Sequence, residues 1–145
     1  MKEPNRVPII RVWNLLLVPV QGELGDTQAE DLKRDVLGAI HTGNVEGLVL
    51  DVTGLWLIDS HLCAVLTRLA QAASLMGTRT IVCGMSAEIA LTIQTMGLEL
   101  GAVQTALSLE QAFERFGVRA PEGEEEDRPV LESDLASSVA KGESQ

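Results

Sequence analysis

Apolar residues recur in two alternating patterns along the chain, and this alternation restricts the fold more than any other feature of the sequence. Some apolar segments, such as Leu48–Val52, are short and continuous, as in strands covered on both faces of a sheet. Others repeat apolar residues three and four positions apart, as in the stripe from Leu62 to Met76 that ends at Gly77. The resulting order is ββαβαβα(β)α, and strands joined by crossover helices must lie parallel. We therefore predict an α/β fold with a mixed, mostly parallel β-sheet of about four or five strands and about four helices.

Capping and turn residues predict where these elements begin and end. A tight turn at Trp13-Asn14 predicts that the first two strands pair antiparallel. Capping residues Thr27, Ser86 and Ser108 predict the starts of three helices. The predicted strands are Val7–Val12, Leu15–Val20, Leu48–Val52, Thr80–Cys83 and Ala102–Thr105.

Composition divides the chain into two parts. The 145 residues are 46% apolar, which fits one domain with a hydrophobic core, and we place this domain at residues 1–117. Residues 118–145 carry eight acidic side chains against three basic ones and few large apolar residues, so we predict a mostly disordered acidic tail. Such a tail either solvates the chain or binds a partner, and composition leaves both interpretations open.

Charge and cysteine usage exclude several classes of protein. The net charge of −10 argues against a nucleic-acid partner, because phosphate recognition needs clustered Lys and Arg. No apolar run approaches the roughly 20 residues of a membrane span, and the first residues do not form a secretory signal. Cys63 and Cys83 lack CxxC spacing and lie in apolar segments, which predicts buried free thiols. We therefore expect a cytoplasmic protein with no membrane contact.

The segment GLVLDVTGLWLIDS, residues 47–60, contains the candidate functional residues. It leads from a strand to a predicted helix start at Asp59-Ser60, and ligands gather at the carboxyl ends of parallel strands. Ser60 can cap this helix or accept a phosphoryl group that faces unpaired N–H groups, and the residues leave both roles open. The apolar connection before Asp59 either seals the end of the sheet or forms a docking patch. We predict a partner-binding surface within this segment, formed by Leu55, Trp56, Leu57, Ile58, Asp59, Ser60 and His61.

Motifs of catalysis and cofactor binding are absent from the sequence. There is no P-loop, no GxGxxG and no GxSxG, and His41 and His61 have no metal-ligand spacing to each other or to the cysteines. Asp59, Ser60 and His61 are adjacent, but neighbours on a helix point in different directions, whereas the members of a catalytic triad meet in space. We predict a protein that is not an enzyme and binds no cofactor or metal, with His61 as an exposed residue of the first helical turn.

Two longer segments resemble a known family. LVLDVTGLWLIDS and LAQAASLMGTRTIVCGMSAEIALTIQTMGLEL look like parts of a STAS domain, the fold of bacterial anti-sigma-factor antagonists, and the resemblance covers about residues 7–117. It implies a STAS fold, with Ser60 at the position of the family's phosphoacceptor. The part MGTRTIVCGMSAEIALTIQTMG resembles stressosome scaffold proteins, and the absence of a sensor domain before residue 7 indicates the short RsbS type. Thr92 lies near an additional phosphorylated threonine of RsbR-type proteins, and a solvated helical threonine is the favoured interpretation of this residue.

The resemblance also implies partners and a mechanism. RsbS-type proteins assemble with RsbR-type co-scaffolds through their STAS domains and hold an RsbT-type switch kinase. The kinase phosphorylates the scaffold serine and is released, and a dedicated phosphatase resets the site. Applied to this chain, the resemblance predicts a non-catalytic scaffold that self-associates into a large assembly and releases its kinase when Ser60 is phosphorylated.

Two other functions stay open at this point. The chain could be a stand-alone antagonist that binds an anti-sigma-factor kinase directly, as a small monomer or dimer. It could also bind a small ligand, or act on one, in the crevice at the carboxyl ends of the strands. Particle size distinguishes the first alternative from a scaffold, and a co-purifying ligand would favour the second.

Overall fold

The computed structural model describes residues 6–97, 101 and 103–118, and these form one mixed sheet flanked by helices. The strands are β1 (Ile10–Val12), β2 (Leu15–Pro19), β3 (Gly47–Asp51), β4 (Arg79–Cys83) and β5 (Gln104–Ala106). The helices are α1 (Asp26–Thr42), α2 (Ser60–Leu75), α3 (Ala87–Thr95) and α4 (Leu109–Arg115). The predicted fold class and the order of elements are confirmed.

The strands lie side by side in chain order, from β1 to β5. β1 pairs antiparallel with β2 through the predicted turn at Trp13-Asn14, and the other neighbouring strands pair parallel. Parallel pairing places the carboxyl ends of β2, β3 and β4 at one edge, where Pro19, Asp51 and Cys83 stand in register. The connections to the following helices therefore leave from a common edge of the sheet.

The sheet buries residues on both faces. Leu48 and Leu50 of β3 pack in a large cluster with buried residues of α1, α2 and α3. Val49, between them in sequence, packs in a second cluster that includes Ala112 of α4. This division follows from the alternation of side chains along a strand. It explains why β3 is apolar at successive positions.

Predicted boundaries differ from the structure at the first strand and at the first helix. The first strand begins at Ile10 rather than Val7, since Pro8 has no N–H to donate to a neighbouring strand. Helix α1 begins at Asp26 with Gly25 as its N-cap, so the predicted cap at Thr27 is wrong. The N–H of Gly25 donates to the Oε1 atom of Gln28 at 2.9 Å, which gives the helix start a side-chain partner other than the expected one.

The remaining helix caps agree with the sequence. Ser86 Oγ accepts a hydrogen bond from the N–H of Ile89, and Ser108 Oγ accepts one from the N–H of Gln111. Cys63 and Cys83 are buried free thiols, as predicted. In the described ranges, no helix is both long and apolar enough to cross a membrane. The predicted acidic tail, from residue 119 onward, lies outside the described residues.

Candidate functional site

Asp59 and Ser60 lie at the start of α2, and the structure gives them different roles. Asp59 is the N-cap residue, with extended backbone angles, and its Oδ1 atom accepts a hydrogen bond from the N–H of Leu62 at 2.8 Å. Its carbonyl oxygen accepts a bond from the N–H of Cys63 at 3.0 Å, which begins the helical ladder. The cap position is therefore occupied by Asp59, and Ser60 is the first residue of the helix proper.

The Ser60 side chain is exposed, and its hydroxyl makes no hydrogen bond to any residue that the structure describes. The sequence left open whether Ser60 caps the helix, and the structure decides against it. Because Asp59 already accepts the hydrogen bond from the N–H of Leu62, the start of the helix does not need the Ser60 side chain. Its hydroxyl lies at the positive end of the α2 dipole, where a phosphoryl group is electrostatically favoured.

The loop before Asp59 is fixed to the loop between β2 and α1. The N–H of Gly22 donates to the carbonyl of Gly54 and the N–H of Trp56 donates to the carbonyl of Gly22, both at 2.8 Å. Gly22 and Leu55 also form an isolated parallel bridge. These bonds fix the backbone on both sides of Leu55, so the side chains of the loop have a defined orientation relative to α2.

The four apolar residues of this loop divide into a buried pair and an exposed pair. Leu55 and Ile58 are buried in the large core cluster. Trp56 is 80% exposed and Leu57 is 51% exposed. The loop therefore seals the sheet with two residues and presents two others to solvent. Of the apolar residues in the predicted partner-binding set, Trp56 and Leu57 therefore reach solvent, whereas the side chains of Leu55 and Ile58 are buried.

His61 lies in the first turn of α2, as predicted, but it is only partly exposed. Its side chain is only 38% exposed, and its Nε2 atom lies 3.6 Å from Oε2 of Glu30 and 3.8 Å from Oδ1 of Asp26, both on α1. The position of His61 on α2 brings its side chain beside α1, which covers part of the imidazole. A catalytic triad is not assembled either, since the Asp59 carboxylate bonds to the helix backbone and the imidazole points toward α1.

A second set of contacts supports the carboxyl ends of β3 and β4. The Asp51 carboxylate accepts hydrogen bonds from the N–H and the hydroxyl of Thr53, at 3.0 and 2.6 Å. Gly84 follows β4 with φ +79°, and a Cβ at this position would collide with the Thr53 hydroxyl. Burial, and secondarily the Asp51 carboxylate, raises the pKa of Cys83 to about 11. Sequence reasoning missed this cluster, although an Asp and a Gly directly after two strands are turn signals.

Two further predictions concern residues away from α2. Thr92 is a partly buried residue of α3 whose hydroxyl donates to the carbonyl of Glu88 at 2.9 Å, the usual back-bond of a helical threonine. A cavity of about 340 Å³ lies beside the β2–α1 loop, with Pro19, Gln21 and Gln28 in its wall, and of the three carboxyl ends of the parallel strands it touches that of β2. The described ranges contain no group of three or more His, Cys, Asp or Glu arranged to hold a metal ion.

Comparisons with known proteins agree with this geometry. A sequence model of the STAS domain matches residues 6–112. The RsbT co-antagonist protein RsbRD of Bacillus subtilis (strain 168) is 27% identical over 106 residues, which cover 73% of this chain and 38% of that protein. The chain thus spans well under half the length of this curated relative.

Two solved structures share the fold over most of their length. One is a serine-to-glutamate variant of RsbS from Moorella thermoacetica, with a TM-score of 0.69 and 29% identity, covering 78% of this chain and 96% of that one. The other is a chain from the structure of the stressosome, described as a signal integration and transduction hub, with a TM-score of 0.64 and 27% identity over 76% of this chain and 96% of that one.

Proposed function

Because the chain belongs to the STAS-domain family, we propose that it is a non-catalytic scaffold of a stressosome, which holds a serine/threonine switch kinase of the RsbT type and releases it when Ser60 is phosphorylated. Its relatives carry the names of an RsbT co-antagonist, of RsbS and of the stressosome itself. In this proposal the chain assembles with copies of itself and with an RsbR-type co-scaffold. A cognate phosphatase returns Ser60 to its free form.

The observation that carries the proposal is that Asp59 caps α2 while the neighbouring Ser60 is left exposed. A phosphoacceptor needs a hydroxyl that a kinase can reach and that the fold does not require. Asp59 caps α2 through Leu62, so the exposed Ser60 hydroxyl meets both conditions. In the proposed reaction the Ser60 oxygen attacks the γ-phosphorus of ATP, its proton passes to a basic group of the kinase, and the bond to ADP breaks as ADP leaves.

The exposed pair Trp56 and Leu57 supplies the proposed contact with the kinase. Trp is enriched among the few residues that contribute most of the binding energy of an interface, and Trp56 is 80% exposed. Phosphorylation adds roughly −1.5 to −2 charges at Ser60, near this apolar contact. A docked partner would have to dehydrate that charge, so binding weakens while the helix dipole keeps the phosphorylated domain folded.

Capture of the cognate kinase by the purified chain, with and without ATP, tests the proposal. We expect wild type to release the kinase when ATP is added, Ser60→Ala to retain it, and Ser60→Asp to bind it weakly from the start. Ser74, an exposed serine near the other end of α2, supplies the matched controls Ser74→Ala and Ser74→Asp, which should behave like wild type. Equal retention by wild type and both Ser60 variants would contradict the mechanism.

Particle size tests the scaffold part of the proposal. Light scattering of the chain mixed with its RsbR-type partner should show particles much larger than a dimer. A small monomer or dimer that binds an anti-sigma-factor kinase directly would instead support a stand-alone antagonist. Since Ser60 could be phosphorylated in either case, this measurement is independent of the kinase-capture experiment.

A further inference from the structure

The Nε2 atom of His61 is buried and has no hydrogen-bond partner among the described residues, which is unusual for a ring nitrogen. The nearest acceptors are the carboxylates of Glu30 and Asp26, at 3.6 and 3.8 Å. Both distances exceed that of a hydrogen bond, and both oxygens belong to α1. The imidazole therefore faces two carboxylates of the neighbouring helix.

Glu30 also contacts a cation on its own helix. Its Oε1 atom lies 3.2 Å from Nζ of Lys33, whereas its Oε2 atom is the one that faces His61. The ion pair with Lys33 therefore remains available to Glu30 if the contact with His61 is lost. The first turns of α1 and α2 are joined by a contact that can close or open without unfolding either helix.

The sequence places this contact directly beside Ser60. His61 follows Ser60 in the first turn of α2, so a phosphoryl group on Ser60 would bring a third anion to an imidazole that already faces two carboxylates. This added negative charge repels the two carboxylates on α1, and the contact between His61 and α1 weakens.

We propose that His61 is a positioning residue that transmits the charge state of Ser60 to the first turns of helix α1. In the unmodified domain His61 joins the first turns of α1 and α2 outside their shared hydrophobic core, and phosphorylation weakens this contact. The affected end of α1 follows the loop at Gly22, which is bonded to Trp56. A charge on Ser60 thereby affects the loop at Gly22, whose carbonyl binds the N–H of the exposed docking residue Trp56. This inference rests on the proposed function only in taking Ser60 as the modified residue.

Hydrogen exchange on the full chain tests the inference without any kinase. Phosphoserine is incorporated at position 60 during translation, in wild type and in His61→Gln, and amide exchange is measured over the first two turns of α1. In wild type we expect phosphoserine to raise the exchange rate about 5-fold or more, the lower range of coupling between two sites. In His61→Gln, exchange should be fast already and should change by less than about 2-fold when the phosphate is present.

Matched variants separate transmission from a purely structural role. His41→Gln changes the other histidine, an exposed residue in the last turn of α1, and should respond to phosphoserine like wild type. Glu30→Gln removes a carboxylate from a partly exposed helix position and should lose the response as His61→Gln does, even if the latter folds poorly. An equal response in wild type and in both His61→Gln and Glu30→Gln would overturn the inference, as would no response in wild type. Failure of the kinase to phosphorylate Ser60 would instead contradict the proposed function alone, because this experiment does not use the kinase.

Discussion

The carboxylate of Asp59 accepts a hydrogen bond from the backbone N–H of Leu62 at 2.8 Å, and this bond releases the neighbouring Ser60 from any part in starting α2. Two residues able to cap a helix stand side by side in the sequence, and only one of them is used. The fold thus places an exposed hydroxyl at a helix N-terminus, and the helix start does not depend on this hydroxyl. A modification there can change binding while it leaves the helix start intact.

Replacing Asp59 should therefore cost stability, whereas replacing Ser60 should not. We expect Asp59→Ala to lower the free energy of unfolding by about 1 kcal/mol, the usual cost of a lost N-cap, and Ser60→Ala to change it by less than about 0.5 kcal/mol. Urea unfolding at constant m-value measures both. Asp59→Asn is the control, since its amide oxygen can still accept from Leu62. Equal losses for Asp59→Ala and Ser60→Ala would mean that the cap is shared.

Substitutions in the loop before Asp59 should separate effects on the stability of the fold from effects on kinase binding. Ile58→Ala removes a buried side chain from the core and should cost about 2–5 kcal/mol of unfolding free energy. Trp56→Ala removes an exposed side chain and should change stability by less than about 0.5 kcal/mol, yet weaken kinase capture at least about 10-fold.

Trp13 provides the control for this comparison. It is 69% exposed and lies at the turn before β2, near the amino ends of the parallel strands and away from Ser60. Trp13→Ala should leave kinase capture unchanged. If Trp13→Ala weakened capture as much as Trp56→Ala, the docking surface could not be the loop beside Ser60.

The sequence predicted those features that local patterns determine. The alternation of strands and helices specified the sheet, and the hydroxyls of Ser86 and Ser108 marked helix starts correctly. The start of α1 was predicted wrongly because its cap is Gly25, which has no side chain to signal the position, and the bond comes from Gln28 instead. A residue pattern cannot reveal a cap that depends on the backbone of a glycine.

Contacts between elements decided the parts of the site that the sequence left open. Whether Asp59 or Ser60 caps α2 depends on how the chain enters the helix, and that path is held by bonds between Trp56 and Gly22, in a loop distant in sequence. Likewise, His61 was expected in solvent because its neighbours in sequence gave no sign of Glu30, which α1 brings next to it. Such tertiary contacts leave no local signal.

Alanine should lower the unfolding free energy by different amounts at two glycines, Gly84 in the turn after β4 and Gly77 before β4. Gly77 and Gly84 both have positive φ, so an alanine at either position adopts a left-handed backbone at a cost of about 1 kcal/mol. Gly77 has open space around a Cβ, whereas Gly84 would press one against Thr53. We expect Gly84→Ala to lower the unfolding free energy by at least about 1 kcal/mol more than Gly77→Ala. Adding Thr53→Ala should recover part of that difference, and no recovery would show that the side chain of Thr53 is not the obstacle.

Cys83 predicts a loss of stability at alkaline pH. Burial, followed by the Asp51 carboxylate, raises the pKa of this thiol from 9.0 to about 11 in the folded chain. The folded state keeps its proton where the unfolded state has lost it, so the contribution to stability is complete below pH 9 and falls as the pH rises toward 11. Cys83→Ala removes this group, so its unfolding free energy should decline less steeply than that of wild type across this window, as measured by urea unfolding at successive pH values.

Cys63→Ala is the comparison variant. Burial also raises the pKa of Cys63, but its Thr67 neighbour opposes the rise, so the change in slope should be smaller. Identical slopes for wild type and Cys83→Ala would contradict a protonated Cys83 in the folded domain.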